Sequence, residues 1–194
     1  SCYDLSELEK LSKVCKEKNL GFHLDGARLF NALVKTDTKP AQIGSLFDSV
    51  SICLSKGLGA PVGSLLLGST DFIRKAMRVR KVFGGGMRQA GYLAAAGIYA
   101  LDHHITRLEE DHKRATAIGR SLNTLPFVKE VLPIETNIVI MTLKDDVKDS
   151  DFLQKLRENN IWAVGFGPQT IRFVTHLDFT DEMLDRMTKL ISRF

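Results

Sequence analysis

Apolar residues recur along the first half of the chain at spacings that predict helices and strands in alternation. Ser6-Glu7-Leu8-Glu9 fits a capping box before a first helix, and short apolar runs over 21–25 and 49–54 predict strands. Helices are predicted over 29–33 and 40–47, between those two strands. The order helix, strand, helix, strand favours parallel pairing of the two strands with right-handed crossovers.

After these strands the pattern predicts one more strand and then a long helical region. Val62–Leu67 follows the preceding strand after only a short connection, so it must pair antiparallel or lie at a sheet edge. Asp71–Val82 predicts a basic helix, and three glycines follow at Gly84–Gly86. The pattern is helical again over 89–125, with a bend predicted at 102–104.

The composition changes after Pro126, where shorter segments predict a small α+β unit. Strands are predicted over 128–132, 137–143, 161–164 and 171–175, with one helix over 150–159, capped by Ser150, and another from Thr180. We therefore expect an α/β chain in three parts: a mostly parallel part over 1–104, a linking helix over 105–125 and a small α+β domain over 126–194.

Charge and cysteine content narrow the classes of function. The 194 residues carry a net charge of +4, with both signs interspersed and no basic stripe, which argues against a nucleic-acid partner and suits small anionic ligands. No apolar stretch is long enough to cross a bilayer, so no membrane partner is expected. Three widely spaced cysteines without a CxxC pair predict a reducing, cytoplasmic setting and no zinc or other metal site.

Two residues that follow predicted strands are candidates for chemistry. Lys56 comes just after the apolar run, at the strand end where α/β sheets place their ligands, and a lysine buried there is a nucleophilic amine. Asp25 ends the other predicted strand, and if the two strands are neighbours, both side chains reach one crevice. Pyridoxal phosphate (PLP) requires such a pair, an amine for its aldehyde carbon and a carboxylate that keeps its pyridine nitrogen protonated. The ordinary alternatives are a solvated lysine and an aspartate N-cap.

Two arginines and a serine complete the candidate site. Arg28 lies three residues after Asp25, and Arg172 begins the last predicted strand. A bidentate arginine fork suits the carboxylate of an amino-acid substrate, although a surface position is open for both arginines. Ser55 is a candidate hydrogen-bond donor to a phosphate.

The histidines are interpreted as structural. His23 shares the face of Asp25 by strand alternation and is interpreted as a satisfied core residue. His103, His104 and His112 fall in the long helical region without a matching carboxylate for a metal, and they are interpreted as surface residues.

Three motifs carry a family resemblance. They are His23–Ala32 (HLDGARLFNA), Ser55–Ser64 (SKGLGAPVGS) and Gly84–Gln89 (GGGMRQ). In this order and at this spacing they resemble the low-specificity L-threonine aldolases, PLP enzymes of fold type I, the aspartate aminotransferase-like fold. The resemblance extends over essentially the whole chain. It implies the C-terminal part of such an enzyme, with residues 1–104 in the PLP-binding large domain and 126–194 as the small C-terminal domain.

The resemblance implies a role for each candidate residue. Lys56 is similar to the Schiff-base lysine, and Asp25 to the partner of the pyridine nitrogen. Arg28 and Arg172 resemble the arginines that hold the substrate carboxylate. The implied reaction is the reversible cleavage of L-threonine or L-allo-threonine to glycine and acetaldehyde through an external aldimine.

Further positions and partners follow from the same resemblance. Lys81 and Arg88, which flank the glycine run, match family positions close to the active site, and Ser55 belongs to the same vicinity. Loops of this kind can face the pocket of a partner subunit, so a homo-oligomer, a dimer or a tetramer, is implied.

The family also has a preceding segment that this chain does not contain. That segment supplies a Gly- and Ser-rich phosphate-binding loop, a histidine stacked on the cofactor ring and further strands. We therefore expect either a companion chain that carries the segment or a fragment that lacks it, and we expect residues 1–194 alone not to bind PLP tightly. The alternatives to an aldolase are a related PLP β-eliminating lyase and a non-catalytic α/β module.

Overall fold

The computed structural model describes residues 2–194, which form two compact units, residues 2–107 and residues 108–194. In chain order, the N-terminal unit contains α1 (Leu5–Glu17), β1 (His23–Gly26), α2 (Leu29–Thr36), α3 (Pro40–Gly44), β2 (Ser49–Cys53), β3 (Ser64–Gly68), α4 (Thr70–Val82) and α5 (Gly91–His103). The C-terminal unit contains α6 (Leu108–Leu122), β4 (Val128–Val131), β5 (Ile138–Leu143), α7 (Asp149–Glu158), β6 (Val164–Gly167), β7 (Thr170–Val174) and α8 (Asp181–Ile191).

The N-terminal unit is built on a three-stranded sheet in the order β1-β2-β3. β1 and β2 are parallel, with Asp25 opposite Ser51, and β2 and β3 are antiparallel, with Ser51 opposite Leu66. The parallel pairing predicted for the first two strands is confirmed. The third strand is both antiparallel and at the edge of this sheet, as its short connection requires.

The N-terminal unit buries apolar residues of its first three helices and of its central strand. Leu8 of α1, Leu33 of α2 and Ile43 of α3 form one cluster, and β2 and the loop after it add buried Val50, Ile52, Leu54 and Leu58. By contrast, every residue of β3 is exposed, and α4 has no buried residue. Much of the apolar surface of this unit is therefore uncovered by the unit itself.

The C-terminal unit is an α+β sandwich with a closed core. Its four strands are antiparallel in the order β4-β5-β7-β6. Strict alternation along β5 and β7 sends Val139, Met141, Ile171 and Phe173 to one buried face, where residues of α6, α7 and α8 cover them. α6 contributes buried residues at helical spacing from Leu108 to Leu122. This unit therefore buries its main apolar face without help.

The helical region predicted over 89–125 is two helices. α5 ends at His103 and α6 begins at Leu108, close to the predicted bend, and α6 belongs to the C-terminal unit. α6 has 15 residues, and no helix among residues 2–194 is long and apolar enough to cross a membrane.

The capping-box prediction at Ser6 is wrong. Asp4 is the N-cap of α1, and its carboxylate accepts hydrogen bonds from the amides of Ser6 and Glu7 at 2.8 and 3.3 Å. The Ser6 hydroxyl also donates to this carboxylate. That hydrogen bond most of all, and then the two from the amides, lower the pKa of Asp4, so the cap is charged at neutral pH.

Two other predicted boundaries shift in the C-terminal unit. The N-cap of α7 is Lys148, and Ser150 lies inside the helix. β6 starts at Val164, three residues later than predicted, because the amide of Ile161 still donates to the Leu156 carbonyl in the turn that closes α7.

Candidate active site

The parallel pair β1–β2 places two of the predicted residues at one edge of the sheet. Asp25 is the second-last residue of β1, and β2 ends at Cys53, three residues before Lys56. Since parallel strands end at the same edge, Asp25 and the segment with Lys56 both lie at the carboxyl edge of this sheet. The Asp25 carboxylate is exposed and accepts a hydrogen bond from the amide of Ala27 at 3.2 Å.

Gly26 allows β1 to approach β2 closely beside Asp25. A Cβ at this position would lie 2.7 Å from the Ser51 carbonyl oxygen and 3.1 Å from the Cβ of Leu29. A backbone oxygen and a Cβ atom cannot move aside as the end of a long side chain can. Any larger residue at position 26 would therefore separate the strands. This glycine therefore fixes the position of Asp25 relative to β2.

A compact loop follows β2 and carries Lys56. The amide of Leu54 donates to the Gly63 carbonyl at 2.9 Å, and the amide of Ala60 donates back to the Leu54 carbonyl at 3.0 Å. Gly59, at a φ of 70°, donates to the Lys56 carbonyl at 2.9 Å. The loop thus closes on itself around Lys56.

The Lys56 side chain is exposed within this chain, whereas the sequence predicts a buried lysine at the strand tip. The reason is local. The strand stops at Cys53, and the buried positions of the loop are taken by Leu54, Gly57 and Leu58. Lys56 is left on the outside of the turn. Neither Lys56 nor Asp25 forms an ion pair within residues 2–194, so both charges are available to an external group.

His104 was missed by the sequence reasoning. Its Nδ1 is 2.6 Å from the carbonyl oxygen of Leu58, at the top of the Lys56 loop, and the residue is half-buried. The interpretation as a surface residue is therefore wrong. It follows the buried residues Gly97 and Ala100 at helical spacing, and this stripe is the signal that could have found it.

Two other histidine interpretations also change. His112 is buried, not on the surface. His23 is exposed rather than in the core, and its Nδ1 is 2.8 Å from the Ser49 hydroxyl of the neighbouring strand.

The remaining residues of this unit occupy exposed or half-buried places. Arg28 is half-buried at the N-cap of α2, and Ser55 is exposed beside Lys56. Lys81, in the last turn of α4, and Arg88 are exposed on either side of the three glycines.

The glycine run folds back on the end of α4. The amide of Gly85 donates to the Arg80 carbonyl at 2.8 Å, and a Cβ on Gly86 would lie 2.7 Å from the Cδ of Lys81. Gly84 has a φ of 79°, where glycine is favoured. Glycine is therefore favoured at position 84 by its backbone conformation, whereas the flexible Lys81 side chain could move aside from a Cβ at position 86.

Arg172 lies in the C-terminal unit, on β7. It is half-buried on the face of the sheet opposite the helices, and its Nε is buried without a hydrogen-bond partner. The guanidinium carbon lies 5.0 Å from the centre of the Phe166 ring. Within residues 2–194 it forms no ion pair, so a buried part of a cation is left without an anion.

The sequence matches known proteins over nearly its whole length. It is 40% identical over 182 residues to low-specificity L-threonine aldolase 1 of Arabidopsis thaliana, covering 92% of this chain and 51% of that protein. It is 41% identical over 177 residues to the low specificity L-threonine aldolase of Escherichia coli K12, covering 91% of this chain and 52% of that protein. The chain thus spans about half the length of these relatives.

A threonine aldolase of Leishmania major superposes with a TM-score of 0.82 at 23% identity, covering 98% of this chain and 56% of that protein. The prediction of a fold-type-I architecture is confirmed by this likeness, and the resemblance to threonine aldolases is confirmed by the relatives. The sequence model of the beta-eliminating lyase family matches residues 1–146, and the chain therefore belongs to that family.

Proposed function

We propose that this chain is the C-terminal part of a PLP-dependent aldolase that cleaves L-threonine or L-allo-threonine to glycine and acetaldehyde. The observation that carries the proposal is that Asp25 and the segment with Lys56 lie at the same carboxyl edge of one parallel strand pair, each without an ion-pair partner among residues 2–194. The relatives named as threonine aldolases support the choice of substrate.

The chemistry of these side chains fits PLP. Lys56 would hold the aldehyde carbon, Asp25 would keep a proton on the pyridine nitrogen, and Ser55 would donate a hydrogen bond to the phosphate. When bound, PLP supplies an electron sink for the bond that breaks. Asp25 is suited to its part because its carboxylate, oriented by the Ala27 amide, forms no ion pair with a cation among residues 2–194.

The arginines would hold the substrate. Arg28 and Arg172 would bind its carboxylate and so fix the orientation of the Cα–Cβ bond that is to be cleaved. Lys81 and Arg88 would add positive charge in the vicinity of the site. Residues 2–107 would then belong to the cofactor-binding domain, and residues 108–194 to the small domain with the preceding helix.

We further propose that the protein works as a homo-oligomer, or together with a chain that carries the preceding segment. The support is the exposed apolar surface of the N-terminal unit. It includes Leu65, Leu66 and Leu67 of β3, Phe83, and Tyr92, whose side chain is 93% exposed. Light scattering of the full-length protein should give a mass of at least two chains.

Replacement of Lys56 tests the proposed function. In the full-length protein, Lys56→Ala should lower threonine cleavage by roughly a thousand-fold or more, because the covalent anchor is lost. Borohydride should fix the cofactor to the wild-type protein at Lys56 and leave the variant unlabelled, while Lys75→Ala, an exposed lysine of α4, should behave as the wild type.

The products decide between related reactions. Glycine and acetaldehyde from threonine support the aldolase. Pyruvate and ammonia from serine or cysteine would instead indicate the β-eliminating lyase. A full-length protein with neither activity and no label at Lys56 would contradict the proposal.

A further inference from the structure

Arg172 has a nearby residue that can orient it without neutralising it. Its guanidinium lies over the Phe166 ring at 5.0 Å, and no acidic side chain of residues 2–194 pairs with it. The negative face of an aromatic ring attracts a cation, but it neither neutralises the charge of the cation nor occupies its N–H donors. An aspartate in the place of Phe166 would compete with an incoming carboxylate, whereas a phenylalanine does not.

A β-bulge brings Phe166 to this place. β6 pairs with β7 through Gly165 opposite Ile171 and Gly167 opposite Thr170. Two steps on β6 therefore match one step on β7, and Phe166 is the extra residue. A bulge redirects the side chain of its extra residue and is a feature often found beside active sites.

The hairpin that holds the bulge is fixed at its turn. Gly167 has a φ of 147°, and Gln169 adopts a left-handed φ of 55°. The Gln169 side-chain amide donates to the carbonyl oxygens of Lys144, at 2.9 Å, and Val147. Gln169 thus ties the hairpin turn to the loop after β5, next to the bulge that holds Phe166.

We propose that Phe166 is a positioning residue for the substrate carboxylate, acting through Arg172. Its ring fixes the plane of the guanidinium before the substrate binds, so that less conformational freedom is lost when the fork closes on a carboxylate. The inference rests on the proposed function, because it takes Arg172 as a carboxylate ligand. It goes beyond that function in assigning a role to a residue that is 54% exposed and outside the three motifs.

Kinetics of the full-length holoenzyme test the proposal. Phe166→Leu keeps an apolar side chain but removes the ring face, and it should raise KM for threonine roughly three- to ten-fold with kcat within about two-fold. Phe166→Tyr keeps the ring and should restore the wild-type KM. Trp162→Leu removes another exposed aromatic of the same segment and should leave both constants unchanged. In an Arg172→Lys background, Phe166→Leu should have little further effect.

A measurement without turnover separates this inference from the proposed function. The Nε–Hε resonance of Arg172, assigned by its loss in Arg172→Lys, should carry a ring-current shift that disappears in Phe166→Leu. If the resonance behaves so but the wild type cleaves no threonine, the aldolase function fails and the stacking stands. If the wild type is active while Phe166→Leu changes neither KM nor the resonance, the positioning role is overturned.

Discussion

The two units of this chain bury their apolar surfaces very differently. In the C-terminal unit, α6 alone buries Leu108, Ala115, Ile118 and Leu122, and the buried residues of β5 and β7 complete one contiguous core. In the N-terminal unit, α4 buries nothing and β3 is exposed along its whole length. One unit is closed by its own helices, and the other has an apolar surface that its own elements leave open.

The open unit is also the one that carries most of the candidate chemistry. Lys56 and Asp25 are charged and without an ion-pair partner among the described residues. Apolar area exposed to water costs roughly 25 cal/mol per Å², so a surface of this kind is expected to be covered in the working protein. The exposed apolar surface and the unpaired charges of Lys56 and Asp25 thus occur in the same unit, whereas Arg172, which also has no ion-pair partner among residues 2–194, lies in the other.

The largest expected effect comes from removing a buried leucine in the closed unit. Leu156 of α7 is fully buried in the C-terminal core, and Leu156→Ala should lower the free energy of unfolding of the 194-residue chain by about 2–5 kcal/mol. Leu66→Ala in β3 deletes the same atoms at a position that is 42% exposed, and it should cost less than about 1 kcal/mol.

Urea unfolding measures both variants. Circular dichroism follows the loss of secondary structure in the whole chain. Equal losses for the two leucine variants in the 194-residue chain would contradict the contrast between the units. If Leu66→Ala lowers the free energy of unfolding more in the full-length protein than in the 194-residue chain, residues outside this chain cover β3.

A smaller effect is expected at the Lys56 loop, which hydrogen bonds close on itself. His104→Ala would leave the carbonyl of the buried Leu58 unpaired, which costs about 1–3 kcal/mol. The Gly59 and Ala60 amides, whose bonds close the loop, should exchange faster with deuterium.

A glutamine at the same place is the matched control. His104→Gln keeps a side-chain donor and should retain part of the protection. If Gly59 and Ala60 stay as protected in His104→Ala as in the wild type, the histidine does not hold this loop.

Sequence patterns predicted the closed unit better than the local details of either unit. Alternation along β5 and β7 was readable because one face of that sheet is buried inside the chain. The exposure of Lys56 cannot be predicted from such a pattern, because it depends on where β2 stops and on groups that lie outside this unit. The parallel pairing of β1 and β2 was accessible from element order, whereas the bulge at Phe166 was not, since it depends on the cross-strand register.

Local hydrogen bonds account for the other missed features. The Asp4 carboxylate accepts from the amides of Ser6 and Glu7, so the helix begins before Ser6, and Ser6 is not its cap. The lack of a matching carboxylate for a metal favours a surface position for His104, although its spacing from Ala100 places it on a buried stripe. Pattern therefore predicts which face of an element is covered, and competition between nearby polar groups decides the rest.

The smallest expected effect is an ion pair on the surface of the closed unit. Arg114 of α6 donates its Nε–H to the Asp181 carboxylate of α8 at 2.7 Å. This hydrogen bond and the charge of Arg114 lower the pKa of Asp181, and the same hydrogen bond raises the pKa of Arg114, so the arginine stays charged throughout the acid range. Because Asp181 is exposed, Asp181→Asn should lower the free energy of unfolding at pH 7 by less than Leu156→Ala or His104→Ala does.

The pH dependence identifies the cause of that loss. The folded pKa of Asp181 lies below its unfolded value, so its contribution is fully present above about pH 4 and is lost as the pH falls through the folded pKa. The difference in free energy of unfolding between wild type and Asp181→Asn should therefore be constant from pH 7 to pH 5 and shrink below about pH 4, as followed by circular dichroism in urea. A difference that persists unchanged at lower pH would show that the charge of Asp181 does not cause the loss. A difference that vanishes with protonation would assign the loss to that charge, which faces both Arg114 of α6 and the N-terminal turn of α8.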